Sequence, residues 1–370
     1  MPPSDARMRK VVRTPAGSFL LGEMLRGCKL CIKGAKLVLF VTGLCRRGCF
    51  YCPLSEKRKG KDVVYANERP VKSPKEIIEE ARAMGALGTG ITGGDPALRF
   101  DRTLRYIRLL KRTFGSRHHI HMYCLDLTRA QLSRLEASGL DELRFHTWDS
   151  SPLEKAMDYE ICSGVELPAI PGKFEEIKRL LIRLDEIGCK FVNLNELEFS
   201  ETNWRALKAH GFVLKHEESI AVKGSQELAL KVLSWAKRNT RLNVHYCPSS
   251  LKDGVQLRNR LLRRAKRTVR PYEVITPEGT LWLGIAYGKK ELEKERRKLI
   301  REFGIPPSMV FFNRQRKRLE MPPELAEELA GKVGGLKFAL VEEYPTWDRL
   351  QTLFLPLSHL RKEEETICVK

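Results

Sequence analysis

The amino-acid sequence predicts an α/β fold, a partial (β/α)6 TIM-like barrel followed by a small basic α+β appendage. Short apolar segments rich in β-branched residues alternate with amphipathic helical stretches up to about residue 250. The chain has 370 residues, 42% of them hydrophobic, which suffices for one large domain and an appendage. Beyond Cys247 the chain becomes strongly basic. We therefore expect an N-terminal extension over residues 1–34, a barrel over 35–254 and an appendage over 255–370.

Six strand–helix units account for the predicted barrel. Residues 36–41 read Lys-Leu-Val-Leu-Phe-Val and predict a buried first strand. Pro74 after Ser73 marks the first turn of a helix, and Thr128 starts another. We expect the other strands at 90–92, 119–123, 142–146, 190–195 and 242–247, and further helices around Leu104–Leu110 and at 174–187, 203–210 and 226–237.

The appendage begins with a predicted amphipathic helix within residues 252–270. Its apolar positions recur every fourth residue, which gives one apolar stripe and one cationic face; they are Leu257, Leu261, Ala265 and Val269. The stretch from Thr276 to Thr280 contains Pro-Glu-Gly between apolar runs and predicts a hairpin over 272–287. We also expect helices at 289–303 and after Pro323, and strands at 337–341 and 353–357.

The charge of the chain is its main indication of a substrate. Sixty-seven basic against 46 acidic residues give a net charge of +21. Such a field favours polyanions, so RNA, and tRNA in particular, is the first candidate. An anionic lipid or nucleotide would fit the charge equally well, and a solvated lysine-rich surface is the plain alternative. If RNA binds, we expect its phosphates to meet the cationic helix face at Arg258, Arg263, Arg264 and Arg267.

Cysteine content and hydropathy indicate a cytoplasmic protein. The first ten residues have no apolar core of a secretory signal, and no stretch is long and apolar enough to span a membrane. Ten cysteines in such a chain point to metal binding or catalysis rather than to disulfides. Four of them have no ligand spacing, and we expect them to be ordinary buried thiols: Cys124, Cys162, Cys189 and Cys368.

Cys45, Cys49 and Cys52 lie within eight residues, directly after the first predicted strand. Thiolates are soft ligands that iron–sulfur clusters select, and the carboxyl ends of barrel strands carry the chemistry of such folds. A four-iron cluster held by three cysteines keeps one iron open for another ligand. A zinc site or buried structural thiols are the alternatives, although zinc usually takes four ligands.

This pattern resembles the radical S-adenosylmethionine (radical SAM) enzymes, whose signature is Cys-x3-Cys-x2-Cys with an aromatic residue, here Tyr51, before the last cysteine. The resemblance implies a 4Fe-4S cluster on Cys45, Cys49 and Cys52, with S-adenosylmethionine chelated to the open iron and Tyr51 among the residues that bind the cofactor. It also implies a one-electron donor, because reduction of the cluster cleaves the cofactor to a radical that abstracts a substrate hydrogen.

A second element supports the resemblance. Gly90-Ile-Thr-Gly-Gly-Asp-Pro96 is similar to the Gly-Gly-Glu-Pro element of this family. The similarity implies that Gly93, Gly94 and Asp95 contact the methionine amino group of the cofactor. The sequence departs from the family at Asp95, which replaces the usual glutamate, so the side-chain contact is in more doubt than the backbone one. From the residues alone, the glycines indicate either a close backbone approach to a ligand or a simple turn.

Further polar residues occupy strand ends. Asn193 and Asn195 share one side of a predicted strand and are candidates for cofactor contacts. Glu196 and Glu198 are expected on the loop that follows, and all four could equally be solvated groups. The segment from Glu166 to Gly172 resembles a Val-Pro-x-Ile-Pro-Gly stretch of pyruvate formate-lyase activating enzymes. Candidates for substrate or ribose contacts, or else ordinary core and surface residues, are His121, Asp126 and His146.

Cys28 and Cys31 form a Cys-x-x-Cys that suggests a metal-binding knuckle. In a nearly closed barrel the segment before the first strand lies near the last strand, which carries His245 and Cys247. These four residues could therefore hold a second metal, either zinc or an iron–sulfur centre. Buried or redox-active thiols are the alternative.

The sequence therefore predicts a radical SAM enzyme, with RNA or another polyanion as the first candidate substrate. One alternative is an activating enzyme that places a radical on a partner protein. A second alternative is a non-catalytic RNA-binding iron–sulfur protein, against which the intact cysteine trio and glycine element count. The reaction after hydrogen abstraction and the oligomeric state stay open.

Overall fold

The computed structural model describes residues 9–289 and 291–357, which belong to two compact units. The first unit comprises the chain up to Arg82 together with Ala86–Leu257. The second comprises Ala83–Gly85 and the chain from Arg258 onward. Within the described ranges, no helix combines the length and the apolar character needed to cross a bilayer. Cys368, predicted as a buried thiol, lies outside the described residues.

An eleven-stranded sheet forms the first unit. Its strands are β1 (Val11–Arg13), β2 (Phe19–Leu21), β3 (Lys36–Phe40), β4 (Tyr65–Ala66), β5 (Arg69–Pro70), β6 (Gly88–Thr92), β7 (His119–Cys124), β8 (Glu142–Phe145), β9 (Cys162–Ala169), β10 (Phe191–Glu196) and β11 (Asn243–Cys247). They pair in the order β1-β2-β11-β10-β9-β8-β7-β6-β3-β4-β5. From β11 to β3 every neighbouring pair is parallel, which confirms the predicted α/β class with a parallel sheet.

The prediction of six parallel strands was wrong by one, because β9 was missed. Prolines such as Pro168 are typical of loops, yet Phe191–Glu196 pairs with Gly164–Ala169 of this strand. All but its first residue are buried, so no alternation of polar and apolar residues marks it as a strand. The extra strand adds Glu166 to the centre of the sheet.

The helices mostly connect successive strands. They are α1 (Arg26–Ile32), α2 (Pro74–Ala83), α3 (Phe100–Phe114), α4 (Arg129–Glu136), α5 (Ser151–Ala156), α6 (Phe174–Glu186), α7 (Trp204–Ala209), α8 (Ser225–Asn239), the single turn α9 (Ser249–Leu251), α10 (Arg258–Thr268), α11 (Leu292–Glu302) and α12 (Pro323–Leu329). The predicted start of α4 is confirmed, since Thr128 and Gln131 form a reciprocal capping box.

The second unit has a six-stranded antiparallel sheet. Its strands are β12 (Val274–Ile275), β13 (Leu281–Tyr287), β14 (Phe311–Asn313), β15 (Arg318–Met321), β16 (Lys337–Glu343) and β17 (Gln351–Pro356). The predicted hairpin is present, with the amide of Thr276 bonded to the carbonyl of Thr280. Leu299, Leu319, Met321 and Leu329 are buried in the core of this unit.

The cationic helix differs from its prediction in two ways. Residues Lys252–Leu257 form a π-helical stretch, and the regular helix α10 begins only at Arg258. Its guanidinium groups are also not all free for a ligand. Arg258 donates to the carbonyl of Pro277 at 2.9 Å, and Arg263 and Arg264 donate to backbone carbonyls of their own unit. These arginines therefore have structural partners, and the helix gives no support to a phosphate-binding face.

Candidate active site

The three cysteines of the motif lie on one closed loop at the carboxyl end of β3. The loop is tied at its base, where the amide of Gly43 bonds to the carbonyl of Lys61 and the amide of Gly60 bonds to the carbonyl of Gly43. A Cβ on Gly43 would lie 1.7 Å from the carbonyl oxygen of Arg58, so only glycine fits there. Cys45 is exposed, and Cys49 and Cys52 are half-buried.

Gly93 and Gly94 pack directly against the start of this loop. The amide of Gly94 bonds to the carbonyl of Thr42 at 2.8 Å, and the amide of Asp95 bonds to that of Leu44 at 2.7 Å. A Cβ on Gly94 would lie 2.2 Å from the oxygen of Leu44. The glycines thus allow the end of β6 to approach the backbone that leads to the cysteines.

Asp95 has a local structural role. Its carboxylate accepts a hydrogen bond from the amide of Ala97 at 3.1 Å and so caps the short 3-10 helix Pro96–Arg99. Burial raises the pKa of Asp95, and the bond from Ala97 opposes this shift. Asp95 does not line the cavity described next, whereas Gly93 and Gly94 do.

A cavity of about 430 Å³ opens between the loop and the strand ends. All three motif cysteines and both glycines line it, as do residues from four further strands or the loops after them. This donor set suits a cluster ligated by three thiolates with a polar cofactor beside it. The other lining residues include Arg47, Tyr51, Lys59, Thr92, Tyr123, Cys124, His146, Glu166, Asn195, Glu196, Glu198 and Lys252.

Tyr51 and His146 form a hydrogen-bonded pair in the wall of this cavity. The Nδ1 atom of His146 lies 3.0 Å from the carbonyl oxygen of Glu166, and its Nε2 atom lies 3.0 Å from the Tyr51 hydroxyl. Burial lowers the pKa of His146, so the ring is neutral at pH 7. Because a carbonyl can only accept, Nδ1 carries the proton and Nε2 accepts from Tyr51. The loop that carries the cysteines is thereby fixed to β8 and β9.

Behind the first cavity lies a chamber of about 310 Å³. The two share Thr92, Tyr123, Glu166, Asn195 and Lys252 in their linings. Residues from all seven parallel strands line the chamber. Its lining also includes Cys28, Cys31, Lys36, His121, Arg144, Asn193, His245, Cys247 and Gln256.

The carboxylate of Glu166 is the central acceptor of a hydrogen-bond network in the chamber. It accepts from Arg144 at 2.8 Å and from the two predicted asparagines, Asn193 at 3.0 Å and Asn195 at 2.7 Å. The Tyr123 hydroxyl donates to it at 3.1 Å. Burial opposes ionisation of Glu166, but Arg144 and the amide donors outweigh it and lower its pKa.

Arg144 also belongs to a second group of charged side chains, together with Glu142 and Lys36. The Nε atom of Arg144 donates to Glu142 at 2.6 Å, and Glu142 lies 3.4 Å from the Nε2 atom of His119. Lys36 lies 3.0 Å from His119 and 2.7 Å from His121. Burial lowers the pKa of Lys36 to about 8 and that of His121 well below its ordinary value. At pH 7 the negative charges of Glu142 and Glu166 therefore balance the positive charges of Lys36 and Arg144. The His121 ring is neutral.

The predicted second metal site is not supported. Cys28 and Cys31 lie on helix α1 rather than on a knuckle, so the expected local geometry was wrong. They do line the same chamber as His245 and Cys247, as the barrel argument required. However, no three His, Cys, Asp or Glu side chains within residues 9–289 and 291–357 are placed to hold one metal ion. A cluster makes a different demand, because each of its thiolates binds a separate iron.

The thiol of Cys28 is instead part of the polar network. It accepts from Arg144 at 3.4 Å and lies 4.0 Å from the Oδ1 atom of Asn193. Burial raises the pKa of Cys28 to about 12, although Arg144 opposes the shift. His245 bonds through Nε2 to the Ser18 hydroxyl at 3.0 Å, and its buried Nδ1 atom has no protein partner.

The other predicted polar residues separate into two groups. His146, Glu196 and Glu198 line the first cavity, where Glu198 accepts from Lys252 at 3.1 Å and Glu196 accepts from Ser249 at 2.9 Å. The expectation that Glu196 lies on the loop after the strand was wrong, because Glu196 is the last residue of β10 and pairs with Ala169. Asp126 pairs with Lys155 and lines neither cavity. Sequence reasoning missed Arg144, Tyr123 and Lys252. A polar alternation of Glu142, Arg144 and His146 along one predicted strand was the available signal.

Comparison with known proteins agrees with this geometry. Residues 39–193 match the radical SAM superfamily, and residues 279–357 match a domain of unknown function, DUF8061. A protein of Methanocaldococcus jannaschii is 40% identical over 360 residues, which cover 90% of this chain and 93% of that one. The chain belongs to the radical SAM superfamily and is an enzyme of that class. The M. jannaschii relative is provisionally named a glycyl-radical enzyme activating enzyme.

More distant similarity extends to solved structures. SuiB of Streptococcus suis bound to S-adenosylmethionine has 15% identity and a TM-score of 0.41, over 60% of this chain and 54% of that one. Coproporphyrinogen III oxidase from Escherichia coli has 10% identity and a TM-score of 0.35, over 88% of this chain and 71% of that one. The chain thus spans about half the length of SuiB. Both TM-scores lie below 0.5, so these two structures add nothing to the assignment.

Proposed function

We propose that the first unit cleaves S-adenosylmethionine at a 4Fe-4S cluster held by Cys45, Cys49 and Cys52, and takes the substrate hydrogen from a partner protein. One observation supports cofactor cleavage at this cluster: the three thiols line the same cavity as Gly93 and Gly94. When bound, the cluster supplies the electron that breaks a carbon–sulfur bond of the cofactor.

The residues around the cavity have distinct roles in this proposal. The glycines let the end of β6 approach the cofactor closely, because no side chain intervenes. The Tyr51–His146 pair holds the cysteine loop in one position against β8. Glu166 and Tyr123 stand where the two cavities meet, so they are placed to orient the group that loses its hydrogen.

The charge balance of the chamber bears on the class of substrate. Lys36 and Arg144 are offset by Glu142 and Glu166, and Lys252 is offset by Glu198, so the chamber offers no uncompensated charge to a ligand. A phosphate placed there would lose its hydration without gaining a counterion, which is costly in a buried space. An uncharged group with several hydrogen-bonding atoms, such as a peptide backbone, fits better.

Protein activation is therefore our first candidate, and RNA modification is less well supported. The name of the 40% identical relative points in the same direction. The cationic helix was the face expected to meet RNA, and its Arg258, Arg263 and Arg264 donate to backbone carbonyls of their own unit. Binding of the positive surface to RNA would then be separate from turnover.

Isotope transfer from fractionated cell material tests this proposal. Cells are grown in deuterated medium, and their protein, RNA and small-molecule fractions are each incubated with the reconstituted enzyme, unlabelled cofactor and dithionite. We expect deuterium in 5′-deoxyadenosine only with the protein fraction. The Cys45→Ala variant is the control, since it should produce no 5′-deoxyadenosine with any fraction. Transfer from the RNA fraction alone would reject protein activation, and no product from the intact enzyme would reject cofactor cleavage itself.

A further inference from the structure

The loop that carries the cysteines also carries a dense group of cations. Residues 45–61 contain six basic side chains and a single acid, Glu56. Backbone bonds of Gly43 to Gly60 and Lys61 close the loop, so its basic second half returns to the backbone two residues before Cys45. Cys45 is the most accessible of the three thiols, and it lines the same cavity as Arg47 and Lys59.

The basic side chains of the loop do not all point the same way. Arg58 lies over the ring of Tyr65, with 4.2 Å between its guanidinium carbon and the ring centroid, and so packs against the sheet. Lys57, Lys59 and Lys61 alternate with it and are exposed, as is Arg46. In the described part of the chain these four cations have no ion-pair partner. We refer to Arg46, Lys57, Lys59 and Lys61 as the basic rim.

We propose that the basic rim is the docking surface for an acidic protein that delivers single electrons to the cluster. This inference rests on the cluster-binding role proposed above for the three cysteines. One electron leaves the reduced centre of the carrier and enters the oxidised cluster, and no atom or proton has to move. Cys45 is exposed and lies in the same loop as the rim, so a carrier docked on the rim would contact the segment that holds the cluster.

Charge complementarity favours such a partner over the others. Unpaired exposed cations steer an acidic protein towards them and set its orientation, at a cost that rises with salt. Arg46, Lys57 and Lys61 lie outside the lining of the cofactor cavity, so they are not needed to bind the cofactor itself. Lys59 lines that cavity and is therefore left unchanged in the test.

The test compares two triple variants with equal loss of charge. The first, Arg46→Gln, Lys57→Gln and Lys61→Gln, removes the part of the rim that does not line the cavity. The control, Arg105→Gln, Arg108→Gln and Arg112→Gln, removes three exposed cations from α3. The probe is a plant-type [2Fe–2S] ferredoxin, a protein of low reduction potential. Its affinity for the full-length reconstituted protein is measured by calorimetry at low and moderate salt.

We expect the rim variant to bind ferredoxin about tenfold more weakly than the parent, and the control to stay within about twofold. Both variants should still accept electrons from dithionite, which needs no docking surface. Equal weakening in both variants, or none in either, would overturn the proposal. The same holds if the rim variant loses affinity for tRNA but not for ferredoxin, since RNA would then be the occupant. A protein that binds no cluster would contradict the proposed function instead, and the difference in ferredoxin affinity can be measured in either case.

Discussion

Glu166 connects the chemistry of the two cavities at the scale of a single residue. Its side chain accepts four hydrogen bonds, and its carbonyl oxygen fixes the tautomer of His146. A carboxylate with this many donors is a fixed part of the site rather than a mobile acid. It therefore sets the positions of Asn195 and Tyr123, which face the cofactor cavity.

Replacing any one of Cys45, Cys49 or Cys52 by alanine should abolish formation of 5′-deoxyadenosine. Each thiolate holds one iron, so the loss of one leaves the cluster incomplete. Iron content and product formation are measured after anaerobic reconstitution. Cys189→Ala is the matched control, because its buried thiol bonds only to backbone carbonyls and should be dispensable for activity. Parental turnover by a motif variant would contradict the assignment.

Glu142 should make the stability of the protein depend on pH in the acid range. Burial raises the pKa of Glu142, but Arg144 and His119 have the larger, opposite effect, and the resulting pKa is about 2. A carboxylate with a lowered pKa stabilises the fold above its unfolded pKa of about 4.5, and this contribution is lost as the pH falls towards 2. We expect Glu142→Gln to cost about 3 kcal/mol at pH 7, because it weakens a buried pair.

The difference between parent and Glu142→Gln should therefore shrink between about pH 4.5 and pH 2. Urea unfolding at a series of pH values measures it. Glu201→Gln removes an exposed carboxylate and should change stability little at any pH. A constant difference between parent and variant over this range would show that ionisation of Glu142 does not stabilise the fold.

At the scale of elements, the site depends on how closely loops approach one another. The end of β6 and the loop after β3 touch through backbone atoms, and the same loop is braced by Asn203, which donates to the carbonyl of Tyr51 at 3.1 Å. Helix α1 presents Cys28 to Arg144, so it forms part of the chamber wall. These elements leave little room for added atoms.

Gly94→Ala should destabilise the protein by about 1–3 kcal/mol and weaken binding of S-adenosylmethionine. The new methyl group would meet the oxygen of Leu44 and displace the cysteine loop. Gly48→Ala is the control in the same loop, because no atom lies within 4 Å of its added Cβ. Calorimetric titration measures the affinity of both variants for S-adenosylmethionine, and urea unfolding measures their stability. Equal affinity and stability of the two variants would refute a special role for Gly94.

Arg264→Gln should destabilise the second unit by about 1–2 kcal/mol, since its guanidinium group donates to the carbonyl of Pro345. Lys266→Gln, on the exposed face of the same helix, should be neutral. Thermal unfolding of the full chain compares the two. If Arg264 served only to bind a phosphate, the two variants would be equally stable.

At the scale of the whole molecule, the net charge of +21 and the neutral chamber have different consequences. The surface charge should give non-specific binding of tRNA, whose affinity falls steeply with salt because counterions are released. The chamber should nevertheless reject phosphate groups. We therefore expect tRNA to bind at low salt without stimulating 5′-deoxyadenosine formation. Filter binding and product assays at matched salt test this, and stimulation by tRNA would favour RNA as the substrate.

The sequence by itself determined the features that depend on short spacing. Cys45, Cys49 and Cys52 could be recognised because one loop holds all three, and Gly93 and Gly94 because they lie in one short element that resembles the Gly-Gly-Glu-Pro element of the family. The parallel α/β class followed from alternating segments, each identified by its own local periodicity. None of these inferences needs the position of a distant residue.

Only the tertiary structure decided the composition of the chamber. Arg144 meets Cys28 across 116 positions of sequence, and Glu166 meets Asn195 across 29. Such contacts depend on strand register and on an added strand, β9, whose buried sequence shows no alternation. The same applies to Arg258 and Arg264 of α10, which donate to the backbone carbonyls of Pro277 and Pro345, acceptors without any sequence signature. Local spacing fixes which residues share a loop, whereas packing fixes which loops, strands and charges meet.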